Sequence, residues 1–494
     1  MDIWQELEKR AWSHAHQIAL IQNDETVSFQ TWLYRAQGAR DQLQRLGIGR
    51  GDAVALLLPN CIEFAYLYCA ILGEGAIATP IDHRMGLPEL RNILARTKVK
   101  VVFTTPNHPH LAALQTTHVT IPIARGEPGF FSAPATPPAM QPAPDESTAL
   151  YLHTSGTTNQ PKIVELTAAH LDEFPRAMLH AALVDGRDVW GMVLPMSHIS
   201  GPIVVNAILC SGGAMVIFDQ LTPQHVLGAI ERHRITLIHG VPPIFQMLLK
   251  GSPTDYDTSS LRMLAMMGTS VPLPVIRAVQ AAFPHARLLQ GYGLTETGPL
   301  LTLMPFDEAA DHLDSIGKAV VDAELAIMDA QGHLLGPGEE GEIVGRGPMI
   351  MKGYLDDPEA TQARWRQGWF RTGDAGRYDQ DGFFYHLGRL DDMIVTGQGL
   401  NVFPSEVEVC LLEHDDVLEA AVVGRRDRDR GAELHAFVVL RPGAAASATE
   451  LRAHCTQNLA SYKVPRRVHI MPELPKNATG KVVKTALAAG GAGA

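Results

Sequence analysis

The sequence has few cysteines, no excess of positive charge and a low fraction of charged residues. Its 494 residues carry 41 Lys and Arg against 53 Asp and Glu, a formal charge of −12. This charge disfavours a nucleic acid or an anionic membrane as a partner, because both favour basic surfaces. The five cysteines form no Cys-x-x-Cys pair. Their spacing therefore favours reduced, buried thiols and a cytoplasmic location.

Long hydrophobic runs and a signal peptide are also missing. The first residues after Met1 lack the basic flank and the apolar core of an export signal. The longest uncharged apolar run, residues 201–218, is interrupted by Pro202, Asn206 and a pair of glycines. This interruption predicts a helix, a turn and a strand rather than a membrane span. We therefore expect a soluble protein.

Hydrophobic residues make up 46% of the chain and follow a pattern that alternates between strands and helices. This alternation predicts an α/β fold with two doubly wound sheets. Residues 316–388 change to short strands and glycine turns, which predict a small β-barrel or hairpins. A compact α+β unit follows. We therefore predict one domain over residues 1–390, with a Pro- and Ala-rich surface excursion at 125–146, and a second over 391–494.

Residues 153–162 combine hydroxyl side chains, a glycine and Lys162 directly after an apolar segment. Backbone N–H groups in such a turn, with added hydroxyls and an ammonium, suit a polyphosphate. The spacing after Gly156 does not fit a Walker loop, and Ser155 has no glycine two residues before it, as a hydrolase nucleophile elbow requires. A phosphate cradle and a plain Ser/Thr surface loop both remain open at this point.

Two other patterns resemble functional motifs but are better explained as loops. Residues 336–341 match Gly-x-Gly-x-x-Gly, yet they precede a strand-like segment and carry two carboxylates that would repel a pyrophosphate. His108 and His110 lack a third metal ligand nearby in the sequence. We therefore predict turns at both places.

Four further segments, residues 290–297, 368–374, 388–392 and 474–481, accompany the segment at 153–162. In this order, and over nearly the whole chain, they resemble the adenylate-forming superfamily of acyl-CoA synthetases, luciferases and peptide-synthetase adenylation domains. The chain looks most like a stand-alone acyl-CoA synthetase. The resemblance implies that a carboxylic acid and ATP, with Mg²⁺, form an acyl-adenylate and pyrophosphate. The acyl group then passes to coenzyme A, which gives an acyl-CoA and AMP.

The resemblance also assigns residues to the nucleotide site. They are Thr154, Ser155, Gly156, Thr157, Thr158, Lys162, Gly291, Tyr292, Gly293, Thr295, Asp374 and Arg389. Tyr292 would stack on adenine, and Asp374 would accept both ribose hydroxyls. The implied catalytic residues are Lys481, Glu296, Thr295 and His198. Glu296 would hold Mg²⁺, and Lys481 would bridge the attacking carboxylate and the α-phosphate.

The second half-reaction implies a mobile carboxyl-terminal domain that turns about a hinge at Asp391. Gly397 and Gly399 would line the coenzyme A channel. The acyl pocket is expected around His198, His239, Gly268 and Thr269, within segments 198–205, 239–245, 266–270 and 290–299. These segments are mostly apolar, which favours an aryl or medium-chain aliphatic acid.

Two alternatives stay open, and one loop departs from the family pattern. The acyl group could instead be loaded onto a carrier protein in trans, or the chain could be a non-catalytic nucleotide- or acyl-binding relative. A homodimer is left open. Asn159 and Ile163 stand where the family usually has glycine. Asn159 tolerates a positive φ, whereas Ile163 would be strained unless its backbone is extended.

Overall fold

The computed structural model describes residues 2–126, 129–132, 146–154, 161–268, 271, 273–309, 311–396, 400–427, 431–476 and 482–489. Its strands are β1 (Ile18–Gln22), β2 (Glu25–Ser28), β3 (Ala53–Leu57), β4 (Ile77–Pro80), β5 (Val101–Thr104), β6 (Val119–Pro122), β7 (Thr148–Thr154), β8 (Lys162–Thr167), β9 (Val189–Met192), β10 (Ala214–Ile217), β11 (Leu237–Gly240), β12 (Met263–Met267), β13 (Arg287–Tyr292), β14 (Thr302–Leu303), β15 (Lys318–Ala319), β16 (Glu324–Met328), β17 (Gly341–Arg346), β18 (Gly353–Tyr354), β19 (Trp365–Arg366), β20 (Trp369–Tyr378), β21 (Phe384–Arg389), β22 (Ile394–Val395), β23 (Asn401–Val402), β24 (Val417–Asp427), β25 (Gly431–Leu440) and β26 (Arg467–Ile470).

The α-helices are α1 (Ile3–Ser13), α2 (Phe29–Arg45), α3 (Ile62–Gly73), α4 (Leu87–Arg96), α5 (Leu111–Gln115), α6 (Ala168–His180), α7 (Ser200–Ser211), α8 (Pro223–His233), α9 (Pro242–Leu249), α10 (Leu273–Ala282), α11 (Pro358–Ala363), α12 (Pro404–Leu412), α13 (Ala448–Asn458) and α14 (Lys484–Ala489). The apolar run predicted to fold as helix, turn and strand does so, because α7 ends at Gly212, which has a φ of 80°, and β10 follows. Among the described residues, no helix combines the length and apolar character that crossing a membrane requires.

The first large sheet has seven strands in the order β18-β8-β7-β4-β3-β5-β6. Its strands β3, β4 and β5 are parallel and agree with the predicted bounds within two residues. Strands β7 and β8 are antiparallel instead, with Thr154 opposite Lys162. The segment predicted to bind phosphate therefore connects two antiparallel strands rather than a strand and a helix.

The second large sheet has nine strands in the order β15-β14-β13-β12-β11-β9-β10-β1-β2. The central strands, β9 to β13, are parallel as predicted, because helices connect them. The hairpin of β1 and β2 was not predicted, and β1 pairs with β10 almost two hundred residues away. The two sheets share one apolar core, which includes Leu56 from β3 and Trp190 and Leu237 from the larger sheet.

The remaining strands form two smaller units. The antiparallel sheet of β16, β17, β19, β20 and β21 contains the short strands and glycine turns that the sequence predicts, and its described pairings form an open sheet rather than a closed ring. Strands β24, β25 and β26 form a three-stranded sheet that packs with α12 and α13 around its own apolar cluster. All five cysteines are free thiols, and four of them are buried.

Candidate functional site

A buried carboxylate, Asp374, lies at the centre of a cluster of polar side chains. Its Oδ2 accepts a hydrogen bond of 2.6 Å from the hydroxyl of Tyr292. Its Oδ1 accepts a bond of 2.9 Å from Nη1 of Arg389 and lies 3.6 Å from Nε2 of His386. Burial alone would raise the pKa of Asp374, but the nearby His386, the charge of Arg389 and the hydrogen bond from Tyr292 lower it overall. The carboxylate is therefore held ionised in a buried site.

The local sequence explains why Asp374 points into this cluster. Asp374 on β20 lies opposite Arg389 on β21 in the antiparallel register. The hydroxyl of Thr372 donates to the carbonyl of Ile343 at 2.7 Å and accepts from the backbone N–H of Asp374 at 3.1 Å. Gly373 has a φ of 77°, which favours glycine, and it lets the chain turn between these two polar residues. The Thr-Gly-Asp sequence thus builds a fixed carboxylate.

Tyr292 ends β13 with its ring beside that of His386, at a centroid distance of 5.7 Å. The predicted nucleotide-site glycines on either side of it serve packing. A Cβ at Gly293 would lie 1.8 Å from the carbonyl oxygen of Pro299, and a Cβ at Gly291 would lie 3.0 Å from the Met267 side chain. In the structure, both glycines allow the returning chain to pass close to the end of β13.

A second cluster surrounds Glu296, which is 7% exposed in a short 3₁₀ turn that begins at Thr295. The hydroxyl of Tyr354 donates to Oε1 of Glu296 at 2.8 Å and accepts from Nε of Arg364 at 3.3 Å. Nζ of Lys162 lies 4.7 Å from the centre of the same tyrosine ring, within cation–π range. Tyr354 therefore joins the predicted metal carboxylate to the predicted phosphate lysine.

The residues around Glu296 fit a magnesium ion that arrives with a polyphosphate. Glu296 offers a hard oxygen ligand, and Mg²⁺ is usually held by one or two carboxylates together with substrate phosphates and water. Within the part of the chain that the structure describes, no group of three or more His, Cys, Asp or Glu residues could hold a metal by itself. Such an ion would depend on the nucleotide for most of its ligands.

Of the predicted phosphate segment, the structure describes its two ends. Thr154 ends β7 and Lys162 begins β8 directly opposite it. Arg96 fixes the position of Pro161, just before β8, because its Nη1 donates to the carbonyl of Pro161 at 2.5 Å. Ile163 is a buried residue of β8, so its backbone is extended. The backbone strain that a positive φ would cause at this position is therefore absent. Ser155, Gly156, Thr157, Thr158 and Asn159 lie outside the described residues.

The described residues of the predicted acyl pocket follow or end strands of the nine-stranded sheet. His239 is 7% exposed in β11, and burial lowers its pKa to about 4. Gly268 directly follows β12 with a φ of 88°. His198 lies in the turn before α7, where burial lowers its pKa and Asp82 partly opposes this shift. Thr269 lies outside the described residues. Ligands of open α/β sheets bind at the carboxyl ends of the strands.

Of the residues predicted for the hinge and the carboxyl-terminal domain, the structure describes Asp391. Asp391 lies in the turn after β21, where the N–H of the preceding Leu390 donates to the carbonyl of Gly373, the residue before Asp374. The positive charge of Arg364 also interacts with Asp391. The predicted channel residues Gly397 and Gly399 and the predicted catalytic Lys481 lie outside the described residues.

Three residues of the site were missed by the sequence analysis. His386 belongs to the cluster around Asp374, and Tyr354 belongs to the cluster around Glu296. Trp190, with its indole N–H unpaired, packs beside Phe174, as His239 does. In the sequence, His386 stands two residues before Gly388 and Tyr354 directly follows Gly353. Neither pattern indicates a chemical role. Only the pairing of distant strands brings these side chains to the site.

The chain belongs to the AMP-binding enzyme family. The family pattern matches residues 7–355, and that of the AMP-binding enzyme C-terminal domain matches residues 406–481. Feruloyl-CoA synthase of Amycolatopsis sp is 32% identical, with 96% of each chain covered. Oxalate–CoA ligase of Arabidopsis thaliana is 31% identical, over 90% of this chain and 89% of the relative.

A solved structure shows that the similarity extends to the fold. The o-succinylbenzoate CoA synthetase of Bacillus subtilis, in complex with its acyl-adenylate intermediate, superposes with a TM-score of 0.89 at 30% identity, over 100% of this chain and 99% of that one. The mixed α/β architecture with a further carboxyl-terminal domain and the assignment to acid–CoA ligases are thereby confirmed. The protein is an enzyme of the adenylate-forming class.

Proposed function

We propose that the protein is an ATP-dependent carboxylic acid:CoA ligase that forms an acyl-adenylate and then an acyl-CoA. The observation that carries this proposal is the ionised, buried Asp374 with Tyr292 and Arg389 already bonded to it. An anionic acceptor is the efficient partner for the two hydroxyls of a ribose. Because Asp374 also fixes the hydroxyl of Tyr292, the ring is oriented before adenine stacks on it.

The phosphate end of ATP would meet the second cluster. Thr154, Thr295 and Lys162 supply donors and a positive charge, and the sequence adds Ser155, Gly156, Thr157 and Thr158. Glu296, oriented by Tyr354, would be the protein ligand of Mg²⁺. A bound magnesium ion neutralises charge on the phosphates during phosphoryl-type transfer. Together these side chains would position the polyphosphate for attack at its α-phosphorus.

The reaction proceeds in two steps. In the first, an oxygen of the acid attacks the α-phosphorus, and the bond to the β-phosphate oxygen breaks, which releases pyrophosphate. Lys481 would stabilise the negative charge that develops there, and His198 would position the acid. In the second, the thiol sulfur attacks the acyl carbon after losing its proton, and the bond to AMP breaks. Movement about Asp391 would exchange Lys481 for the channel at Gly397 and Gly399.

The acid is best described as an aryl or medium-chain aliphatic carboxylic acid. The names of the relatives range from oxalate to ferulate, so they do not select one acid. The apolar segments 198–205, 239–245, 266–270 and 290–299 favour a hydrophobic acyl group. The free, mostly buried thiols support a cytoplasmic location as part of the proposal.

The half-reactions of a Lys481→Ala variant test the proposal. Acid-dependent exchange of pyrophosphate into ATP should be lost, whereas thioester formation from supplied acyl-adenylate and coenzyme A should be largely kept. The control is Lys476→Ala, five residues before Lys481, which removes a surface ion pair with Glu419 and should keep both activities. Equal loss of both half-reactions in the Lys481 variant would contradict the role assigned to it. Replacing free coenzyme A by a phosphopantetheinyl carrier tests the alternative acceptor.

A further inference from the structure

Two buried nitrogen atoms near the predicted acyl pocket have no hydrogen-bond partner. They are Nδ1 of His239 and Nε1 of Trp190, whose residues are 7% and 1% exposed. Strand register places both on one face of the sheet, because Leu237, two residues before His239, lies opposite Trp190. Nearly all buried polar groups in native proteins are paired. Two unpaired nitrogens on one face indicate a place where a ligand completes the hydrogen bonds.

The surroundings of these nitrogens are aromatic and uncharged. The ring of Phe174 on α6 lies 6.0 Å from the His239 ring and 6.2 Å from the Trp190 ring, between centroids. Burial lowers the pKa of His239 to about 4, so its imidazole is neutral at pH 7. Aromatic side chains at these distances and angles suit a flat, apolar acyl group.

A second carboxylate on the acid would find no charge to pair with here. The segments 198–205, 239–245, 266–270 and 290–299 contain neither lysine nor arginine, and their one charged residue is Glu296. Arg84, whose charge reaches His198, is already bound by both oxygens of Asp82, at 2.9 and 2.6 Å. Burying an unpaired carboxylate is strongly unfavourable.

We propose that this protein activates an aryl monocarboxylic acid that carries an uncharged hydroxyl, and that Nδ1 of His239 is the hydrogen-bond partner of that hydroxyl. A hydroxyl both donates and accepts, so it pairs with Nδ1 in either tautomer of a neutral imidazole. The indole N–H of Trp190 lies on the same face as a second donor. This assignment rests on the proposed ligase function and names its substrate class.

The test compares matched acids and matched variants. Benzoate and cinnamate are each used unsubstituted, with a para-hydroxyl and with a para-carboxylate. Thioester formation gives kcat/KM for every acid, and calorimetry with the corresponding acyl-sulfamoyl adenosines gives affinities that do not depend on turnover. His239→Phe keeps the ring and removes its nitrogens, whereas His239→Asn keeps an amide near the position of Nδ1. His285→Phe, at an exposed position, is the control.

In the wild type, the hydroxylated acid should exceed its unsubstituted parent at least about tenfold, and the dicarboxylate should be the poorest. His239→Phe should reduce the preference for the hydroxyl to about one, and His239→Asn should restore part of it. An equal or greater preference for the dicarboxylate, or an equal loss on every acid in His239→Phe, would overturn the assignment. If no acid supports turnover, the ligase function itself fails, and the calorimetric ranking still decides the assignment.

Discussion

The proposed ribose end and the proposed acyl end of the site differ in how far the protein itself pairs their polar groups. Both carboxylate oxygens of Asp374 already have protein partners, whereas the buried nitrogens of His239 and Trp190 have none. The partner proposed for Asp374, a ribose, would be the same in every reaction of the class, so the protein can fix the geometry of this cluster in advance. At the proposed acyl end, the substrate would supply the missing hydrogen bonds. Without it, the unpaired nitrogens lower the stability of the folded protein.

The largest expected effect concerns the acyl end, where the buried His239 should make the stability of the folded protein depend on pH. His239 has a pKa of about 4 in the folded protein, against an ordinary value near 6.5. Above pH 6.5 both states are neutral, but as pH falls from 6.5 to 4 the unfolded state binds the proton first. The folded protein should therefore lose about 3 kcal/mol over this window from His239 alone.

Thermal unfolding of the wild type and of His239→Phe between pH 4 and 7.5 measures this term. The variant should unfold at a less pH-dependent temperature, and the lowered pKa of His153, also about 4, should leave it some residual slope. Identical slopes in the two proteins would show that His239 is not buried as a neutral imidazole.

Asp374→Asn should give the next largest effect, on ATP binding. The change keeps the size of the side chain but removes the anionic acceptor and frees Arg389. A charged hydrogen bond contributes about 2 kcal/mol, so the Kd for ATP should rise about thirtyfold. Calorimetry measures it, with Asp381→Asn in the exposed turn before β21 as the control. An unchanged Kd would show that Asp374 does not bind the ribose of ATP.

Tyr354→Phe should have a smaller effect, confined to magnesium. The variant loses the 2.8 Å bond to Glu296 but keeps the ring beside Lys162. The Mg²⁺ concentration that half-saturates ATP binding should rise about tenfold, because Glu296 is no longer held in place. Tyr385→Phe removes a comparable 2.8 Å bond to Asp379 elsewhere and should leave this concentration unchanged. The same shift in both variants would contradict a positioning role for Tyr354.

The sequence predicted much of the two large sheets because their strands depend on local signals, namely the alternating apolar patterns of β3 to β5 and β9 to β13. The roles predicted for Asp374 and Glu296 came instead from the resemblance to a family, since the short segments around them carry no such assignment by themselves. The hairpin of β1 and β2 escaped prediction because short strands gain their identity from a distant partner, here β10.

Contacts across long sequence separations explain the other omissions. Tyr292 and Asp374 are 82 residues apart, and Glu296 and Tyr354 are 58 residues apart. A single sequence carries no signal for such pairs, so the partners of each predicted residue could not be named. The unpaired state of His239 also depends on what packs around it, which includes Phe174 on α6 and Trp190 on β9.

The most direct test of the proposed chemistry is exchange of labelled pyrophosphate into ATP in the absence of coenzyme A. The wild-type protein with Mg²⁺ and ATP should show exchange only when a suitable aryl acid is added, because formation of the acyl-adenylate is reversible. Failure of every acid to support exchange, in a protein that binds ATP by calorimetry, would contradict the account.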